Sequence, residues 1–568
     1  MARSALFARL ARLLTSSAAP GRDRAPPTVG CSRRELLGLA GVGALELLTG
    51  CTRGRIPARA TDPRIAIIGA GMAGLSCAYR LAQAGVRATV YEGSARVGGR
   101  VFSARGRFGD GQVGELGGEF IDSDHLHLHA LARELAIELD DRVHALPAGV
   151  AHDLWWVGKR RVSDSVLSEQ YARVVGAFRE LSARSERDPV LFARLDHTPL
   201  STFVAHWLGD APELRSVVES AYRGEYGREL ESQSALNLLT LIGLDSVAPL
   251  PLFGSSDERF HTRSGNETFA ERLGEKLAGS IERELRLCAV RGAPESGYTL
   301  TFERGASVRE LRAQLVVFAL PFTMLRQVEL RELPLSREKR AIIDELGYGT
   351  NAKLLGAFSR RVWLEGQRSS GSVTSDEPWQ QCWDTSLGQP GASGLLTSFL
   401  GGEAGLAAHE GSAEARYDAL LHGLEPVFAG VRESYVAGSA TRMHWPSHPF
   451  TQGSYACYLP GQWAHHGREG LPEAGDTLHF CGEHTSVDHQ GFMEGAAESG
   501  ALSAAAILRR LGRAASPAHA RALASSLLVP QPALGERVAA HGFARRTLAR
   551  RRALAASWSS RAGVLALT

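Results

Sequence analysis

The chain has 568 residues, 44% of them hydrophobic and 22% charged, which is the balance of an ordinary soluble enzyme and enough length for two or three domains. A net charge of +3 on this length gives no electrostatic footprint for nucleic acid, and much of the arginine excess sits at the two ends. The seven cysteines (Cys31, Cys51, Cys77, Cys288, Cys382, Cys457 and Cys481) form no CxxC pair and no His/Cys ligand spacing, so no metal site is expected; most read as buried thiols.

In chain order, the first signal is an address. Ser32-Arg33-Arg34-Glu35-Leu36-Leu37 is a twin-arginine pattern, and the apolar stretch from Leu36 to Leu48 is too short for a good membrane span. The stretch ends in Leu48-Thr49-Gly50-Cys51, which resembles a bacterial lipobox with Cys51 as the lipidated residue. The bland alternative is an arginine pair that happens to precede an apolar helix. The address implies twin-arginine export machinery as a partner and a place in the bacterial cell envelope, periplasmic or extracytoplasmic, with membrane attachment through Cys51. Residues 1–51 are thus assigned to the signal and 52–62 to a tether.

The folded body begins at Arg64. Ile65-Ala66-Ile67-Ile68 reads as a buried parallel strand, and the Gly-rich run Gly69-Ala70-Gly71-Met72-Ala73-Gly74 follows at once. A helix then ends near Gly85, and a second strand closes on Glu92. This is the context a dinucleotide fingerprint requires. Gly69 permits the tight turn, Gly71 lets backbone approach a pyrophosphate, Gly74 lets helix and strand pack closely, and Glu92 accepts from a ribose diol. Arg96-Val97-Gly98-Gly99-Arg100 suits a second loop on the same pyrophosphate, with planar arginine contacts, and favours FAD over NAD. Glu115-Leu116-Gly117-Gly118-Glu119-Phe120-Ile121 is a further close-approach loop.

On these blocks, from about Arg64 to Gly512, the sequence resembles the flavin amine oxidase family, which includes monoamine, polyamine and L-amino acid oxidases. The other matching blocks are Arg263-Ser264-Gly265-Asn266-Glu267, Leu315–Pro321, Leu478–Thr485 and Gly491–Gly500. The resemblance implies an α/β fold: a Rossmann-like FAD-binding domain, a mixed-sheet substrate domain and a helical insertion. The FAD-binding parts fall at 63–145, 259–335 and 475–513, the helical or substrate region at 146–258, the substrate-binding domain at 336–474, and a basic tail at 514–568. It also implies that Val290 contacts adenine through its backbone, that Gly482 and Glu483 bind the ribityl chain, and that Gly491, Phe492, Met493 and Ala496 lie against the flavin, with the Met493 N–H donating to it.

On the substrate side, Lys353 stands where the family has a lysine that holds a water at flavin N5, and Tyr455 and Phe492 stand where it has two facing aromatic rings around the amine. Monoamine oxidases bond the flavin through a cysteine where this chain has Ser454, so noncovalent FAD is implied. Phe120 replaces the arginine that L-amino acid oxidases use for a substrate carboxylate. Asp122 reads equally as a substrate carboxylate or as a cap for the helix at Leu126. The implied reaction is hydride transfer from a small amine (a primary amine or polyamine) to flavin N5, with aldehyde and ammonia or amine as products and molecular oxygen as acceptor. An L-amino acid oxidase, a dehydrogenase serving a quinone or cytochrome, and an inactive lipid-anchored flavoprotein stay open as alternatives.

Overall fold

The computed structural model describes residues 63–465, 473–474, 476–486 and 488–528. The twin-arginine pattern, Cys51, the tether and the arginines at 545–552 lie outside the described residues.

Four short apolar strands build the nucleotide-binding sheet. Ile65–Ile68 pairs in parallel with Ala88–Tyr91 on one side and Leu315–Phe318 on the other. Leu478–Phe480 extends the sheet in parallel beyond Leu315–Phe318, and Ile281–Glu282 and Glu473–Ala474 close its edges. The strands Ile65–Ile68 and Leu315–Phe318 are buried at every position, as a sheet covered on both faces demands. The helix Met72–Gln83 covers one face and ends where Gly85 turns left-handed (φ +73°), so that Gly85 and Val86 cap the last carbonyls. The helix Met493–Arg510 packs on it through small residues: Ser76 donates to the Ala497 carbonyl at 2.8 Å, and a side chain at Gly500 would strike the Ala73 carbonyl.

The second layer is a seven-stranded mixed sheet in the order Thr441–His444, Ala352–Phe358, Gly394–Leu400, Gln381–Asp384, Ser369–Ser375, Ala151–Val157 and Arg160–Val162. The last two strands come from the stretch read as helical, so that region is helical only from Asp164 onward. Their apolar positions alternate too briefly to show a strand period in sequence. Part of the stretch read as tail also folds onto the body. The helix Pro517–Leu528 brings His519 Nε2 to 3.0 Å from the Ala501 carbonyl. No helix among the described residues is long and apolar enough to cross a membrane.

The sheet positions the site. The segments leaving the carboxyl ends of the four parallel strands (Gly69, Glu92, Ala319 to Pro321, and Gly482 with Glu483) all line one cavity.

Candidate active site

The cavity encloses about 880 Å³ and runs from these strand ends to the second sheet. Its nucleotide side is lined by Gly69, Gly71, Met72, Ala73, Glu92, Arg96, Gly98, Gly99, Arg100, Gly117 and Gly118. Gly71 has ordinary extended backbone (φ −73°) and no protein atom within 4 Å of where a Cβ would stand. Neither conformation nor packing demands glycine there; the space in front of it is what a side chain would fill. Gly74 does not line the cavity and serves packing, since a Cβ would collide with the Gly69 carbonyl. Ala70 faces away also, and its N–H donates to Glu92 Oε2 at 2.7 Å. The Ser94 N–H donates to Glu92 Oε1 at 2.8 Å, which fixes the carboxylate at the end of its strand.

Arg96 corrects the expectation of a phosphate contact. It lines the cavity, but its guanidinium is spent on the loop: it donates to the carbonyls of Val97, Gly99 and Val101, pairs with Glu267 at 3.2 Å and lies over the Phe102 ring. Val290 is a second correction. It is fully buried, does not line the cavity, and its N–H donates to the Glu329 carbonyl. Leu285, Arg286 and Leu287 form that wall instead, because the Leu285 N–H bonds the Glu92 carbonyl and draws the strand's beginning inward.

Glu483 organises the centre. Its Oε1 accepts from Arg100 at 2.8 Å and from the Ala456 N–H at 3.3 Å, and its Oε2 from the Gly491 N–H at 2.9 Å. One carboxylate therefore holds both chain segments that carry the aromatic residues Tyr455 and Phe492. Both rings line the cavity. The Tyr455 hydroxyl donates to the Gly224 carbonyl at 3.1 Å, Gly491 (φ +88°) lies against the Tyr455 ring, and His125 packs edge-on against Phe492 at 5.4 Å. Met493 and Ala496 follow in the first turn of a helix whose N-terminus has no side-chain cap, so its N–H groups face the cavity unspent. Ser454 donates to Asn351 at 2.5 Å. Cys457 is buried and off the cavity wall.

Lys353 is nearly sealed from solvent and faces the cavity, but its ammonium has three acceptors of its own: Glu119 Oε2 at 2.7 Å and the carbonyls of Gly117 at 2.9 Å and Glu115 at 3.2 Å. All three N–H donors are used, which leaves none for the water assigned to it by resemblance. Glu119 in turn accepts from Trp383 at 2.9 Å and from the Thr385 hydroxyl. Burial opposes its ionisation, yet the Lys353 ammonium holds its carboxyl below the ordinary range. Phe120 lines the cavity with the Arg142 guanidinium stacked 4.3 Å behind it. Asp122 is neither substrate ligand nor cap. It lies off the cavity wall and accepts the Glu258 N–H at 2.8 Å. The helix Leu126–Glu134 is capped by Glu494, which accepts from the N–H groups of His127 and Leu128 at 2.8 and 2.9 Å.

The sequence reading missed Trp383, Phe399, Asp153, Glu225 and Glu258, all on the cavity wall. Glu225, between the tyrosines Tyr222 and Tyr226 in the last turn of its helix, carried a signal; Glu258 carried none.

Residues 72–508 match the family model for flavin containing amine oxidoreductases. The chain belongs to that family. It is a flavin-dependent amine oxidoreductase with FAD as cofactor. An L-amino-acid oxidase of Siganus canaliculatus is 24% identical over 77% of this chain and 84% of its own. A putrescine oxidase of Kocuria rosea is 24% identical over 79% and 96%. Among solved structures, cyclohexylamine oxidase from Brevibacterium oxydans superposes with a TM-score of 0.68 at 21% identity, covering 80% of this chain and all of that one, which shows a shared fold. The flavin amine oxidoreductase described here thus has relatives on both sides of the amine and amino acid divide.

Proposed function

We propose that the enzyme oxidises a primary amine or polyamine at the carbon next to nitrogen, releasing an aldehyde, ammonia or an amine, and hydrogen peroxide. The charge of the cavity wall carries this reading. The arginines that line the cavity, Arg96, Arg100 and Arg286, all belong to its nucleotide side, while the remaining wall presents Glu119, Asp153, Glu225, Asp257 and Glu258. The two basic side chains on that wall, Lys353 and His152, are paired with Glu119 and Asp153, so among the described residues the wall offers carboxylates to an ammonium group and no unpaired cation to a substrate carboxylate. This favours amines over L-amino acids.

When bound, FAD supplies the hydride acceptor and molecular oxygen the final oxidant. Gly69, Gly71, Gly98 and Gly99 would let backbone approach the pyrophosphate, Glu92 would accept from the ribose, and Glu483, held by Arg100, would bind the ribityl chain. The open helix end at Met493 places N–H groups where negative charge on the ring is stabilised. Tyr455 and Phe492 exclude water and hold the amine by their π faces. Lys353 anchors Glu119 and the loop Gly117-Gly118 instead of carrying a water. With Ser454 on the wall, Cys457 off it, and Cys382, which lines the substrate side, bonded through its Sγ to the Gly371 carbonyl, no thiol stands where the covalent bond would form, so FAD is held noncovalently. The N-terminal 51 residues act as an export signal that places the enzyme, through lipidated Cys51, at the bacterial envelope; Cys51→Ala is expected to move it from the membrane fraction to the soluble one.

The test is anaerobic. Purified protein is expected to be yellow, to release FAD on denaturation, and to bleach with amines but not with L-amino acids. Bleaching by amino acids alone overturns the substrate assignment, and bleaching without peroxide in air overturns the acceptor.

A further inference from the structure

The helix Met493–Arg510, whose open end faces the cavity, carries a carboxylate in its own first turn. Glu494 is buried, lies off the cavity wall, and accepts from the N–H groups of His127 and Leu128. One side chain thus ties the start of this helix to the start of the helix Leu126–Glu134. When ionised, it also puts a negative charge beside the N–H groups that face the cavity, and so weakens their pull on negative charge there. His489 lies against the same turn. Its carbonyl accepts the Phe492 N–H at 3.2 Å and fills the space that a side chain at Gly495 would need.

The Nδ1 atom of His489 is sealed from solvent and has no hydrogen-bond partner. Around the ring stand the carboxylates of Glu494, Glu498, Asp488 and Asp124, with the His125 ring edge-on at 5.4 Å. Burial opposes a charge on His489, but the four carboxylates outweigh it and raise its hold on a proton above that of ordinary imidazole. Burial pushes Glu494 up to about 7 against the pull of His489. The remaining charged or titratable groups on the neighbouring segments are committed elsewhere: Glu483 to Arg100, Arg80 to Glu134, His129 to the Asp122 carbonyl and His519 to the Ala501 carbonyl. A metal ion does not account for the cluster. Ligand atoms of Asp124, His125 and His489 converge within 4.8 Å, but His125 Nδ1 accepts the Asp122 N–H at 3.0 Å and its Nε2 donates toward Asp122 Oδ2 at 3.3 Å, so His125 keeps no lone pair for coordination.

We infer that Glu494 and His489 form a proton-holding pair, coupled to reduction of the flavin through the start of the helix Met493–Arg510. The inference rests on the flavin and holds whichever amine is the substrate. Neither side chain lines the cavity, so both are positioning residues that act through the helix. When two electrons and one proton enter the ring, it gains one negative charge. That charge raises the proton affinity of the pair, and a further fraction of a proton passes from solvent onto the Glu494 carboxylate. By linkage, a proton held by the pair favours the reduced ring to the same degree. Acid therefore helps the enzyme accept electrons, and alkali helps it give them up.

The test uses the FAD-loaded enzyme and needs no turnover. The flavin is reduced at equilibrium with a dye of known potential, without air, and the slope of its potential against pH gives the protons taken up per two electrons. The wild-type enzyme is expected to take up about one and a half near pH 7.5, and about one at pH 9. In Glu494→Gln, whose amide oxygen still accepts from a backbone N–H, uptake is about one throughout. In His489→Asn the excess survives but moves to higher pH, because Glu494 loses the cation that lowers it. A merely structural role would shift the potential equally at every pH. Uptake of one proton at every pH in the wild-type enzyme overturns the inference, as does an excess that survives in Glu494→Gln. An excess in the wild type that tracks a change in the near-ultraviolet band of the reduced flavin puts the proton on the ring and overturns it too, a comparison that needs no variant.

Discussion

The two ends of the cavity handle charge in opposite ways. At the nucleotide end the arginines are tied to the protein: Arg96 to its loop and Glu267, Arg100 to Glu483, Arg286 to Glu303. Recognition there falls to backbone, through glycines that leave room and helix ends that leave N–H groups free. At the substrate end Glu225 and Glu258 stand unpaired. Paired charges build the walls; unpaired ones wait for something that arrives. A charged residue in an active site is therefore informative in proportion to what the protein has left it without.

The largest effect that tests this contrast is Gly71→Leu. Its Cβ meets no protein atom within 4 Å and it needs no unusual backbone, so the apoprotein is expected to keep its melting temperature while the purified protein loses its colour entirely. A yellow variant would show that the space before Gly71 is not where the cofactor lies. Next is Lys353→Met, which leaves Glu119 buried without its cation. Urea unfolding is expected to show a loss of about 3–5 kcal/mol, much of it recovered in Lys353→Met/Glu119→Gln. If the single variant unfolds like wild type, the pair is not part of the wall. Smaller again, Tyr455→Leu should lower kcat/KM for amines roughly tenfold by removing one π face, with FAD retained.

The smallest effect is in pH. Below about pH 6.5, buried histidines such as His125 and His484, held neutral by burial, make the fold gain stability as pH rises. Above it, the unfolded chain holds fewer protons than the fold, because Glu115 and Glu258 are pushed up to about 8 and Glu225 and Glu494 to about 7, chiefly by burial. Stability then falls as pH rises through those values. Scanning calorimetry between pH 6.5 and 8.5 is expected to show a decline of roughly 2–4 °C. The decline should flatten in E225Q/E258Q, and a rising melting temperature over this window would contradict the unpaired state of these acids.

The nucleotide end was legible because its logic is local. A strand, a glycine loop, a helix and an acid follow one another within thirty residues, and the spacing of the glycines is visible in that run alone. The mixed α/β architecture followed from the same blocks. What escaped depended on contacts between distant segments. Nothing in the run around Lys353 announces Glu119, 234 positions earlier in the chain, as the taker of its proton donors. The adenine wall shifted from Val290 to Leu285–Leu287 through one backbone bond to Glu92. The strands at 151–162 acquire their period only beside Ser369–Ser375. Glu258 was unreadable for a further reason: its meaning lies in having no partner, which a fold reveals and a sequence cannot.

The clamp made by Glu483 has an evolutionary consequence. Because it grips main chain and not the rings, the spacing of the two aromatic walls is set from behind. Exchange of Tyr455 or Phe492 for other side chains reshapes the mouth offered to an amine while the frame stays at constant width. New substrate preferences are thus open to single substitutions at the surface of the slot, without renegotiating the seat of the cofactor.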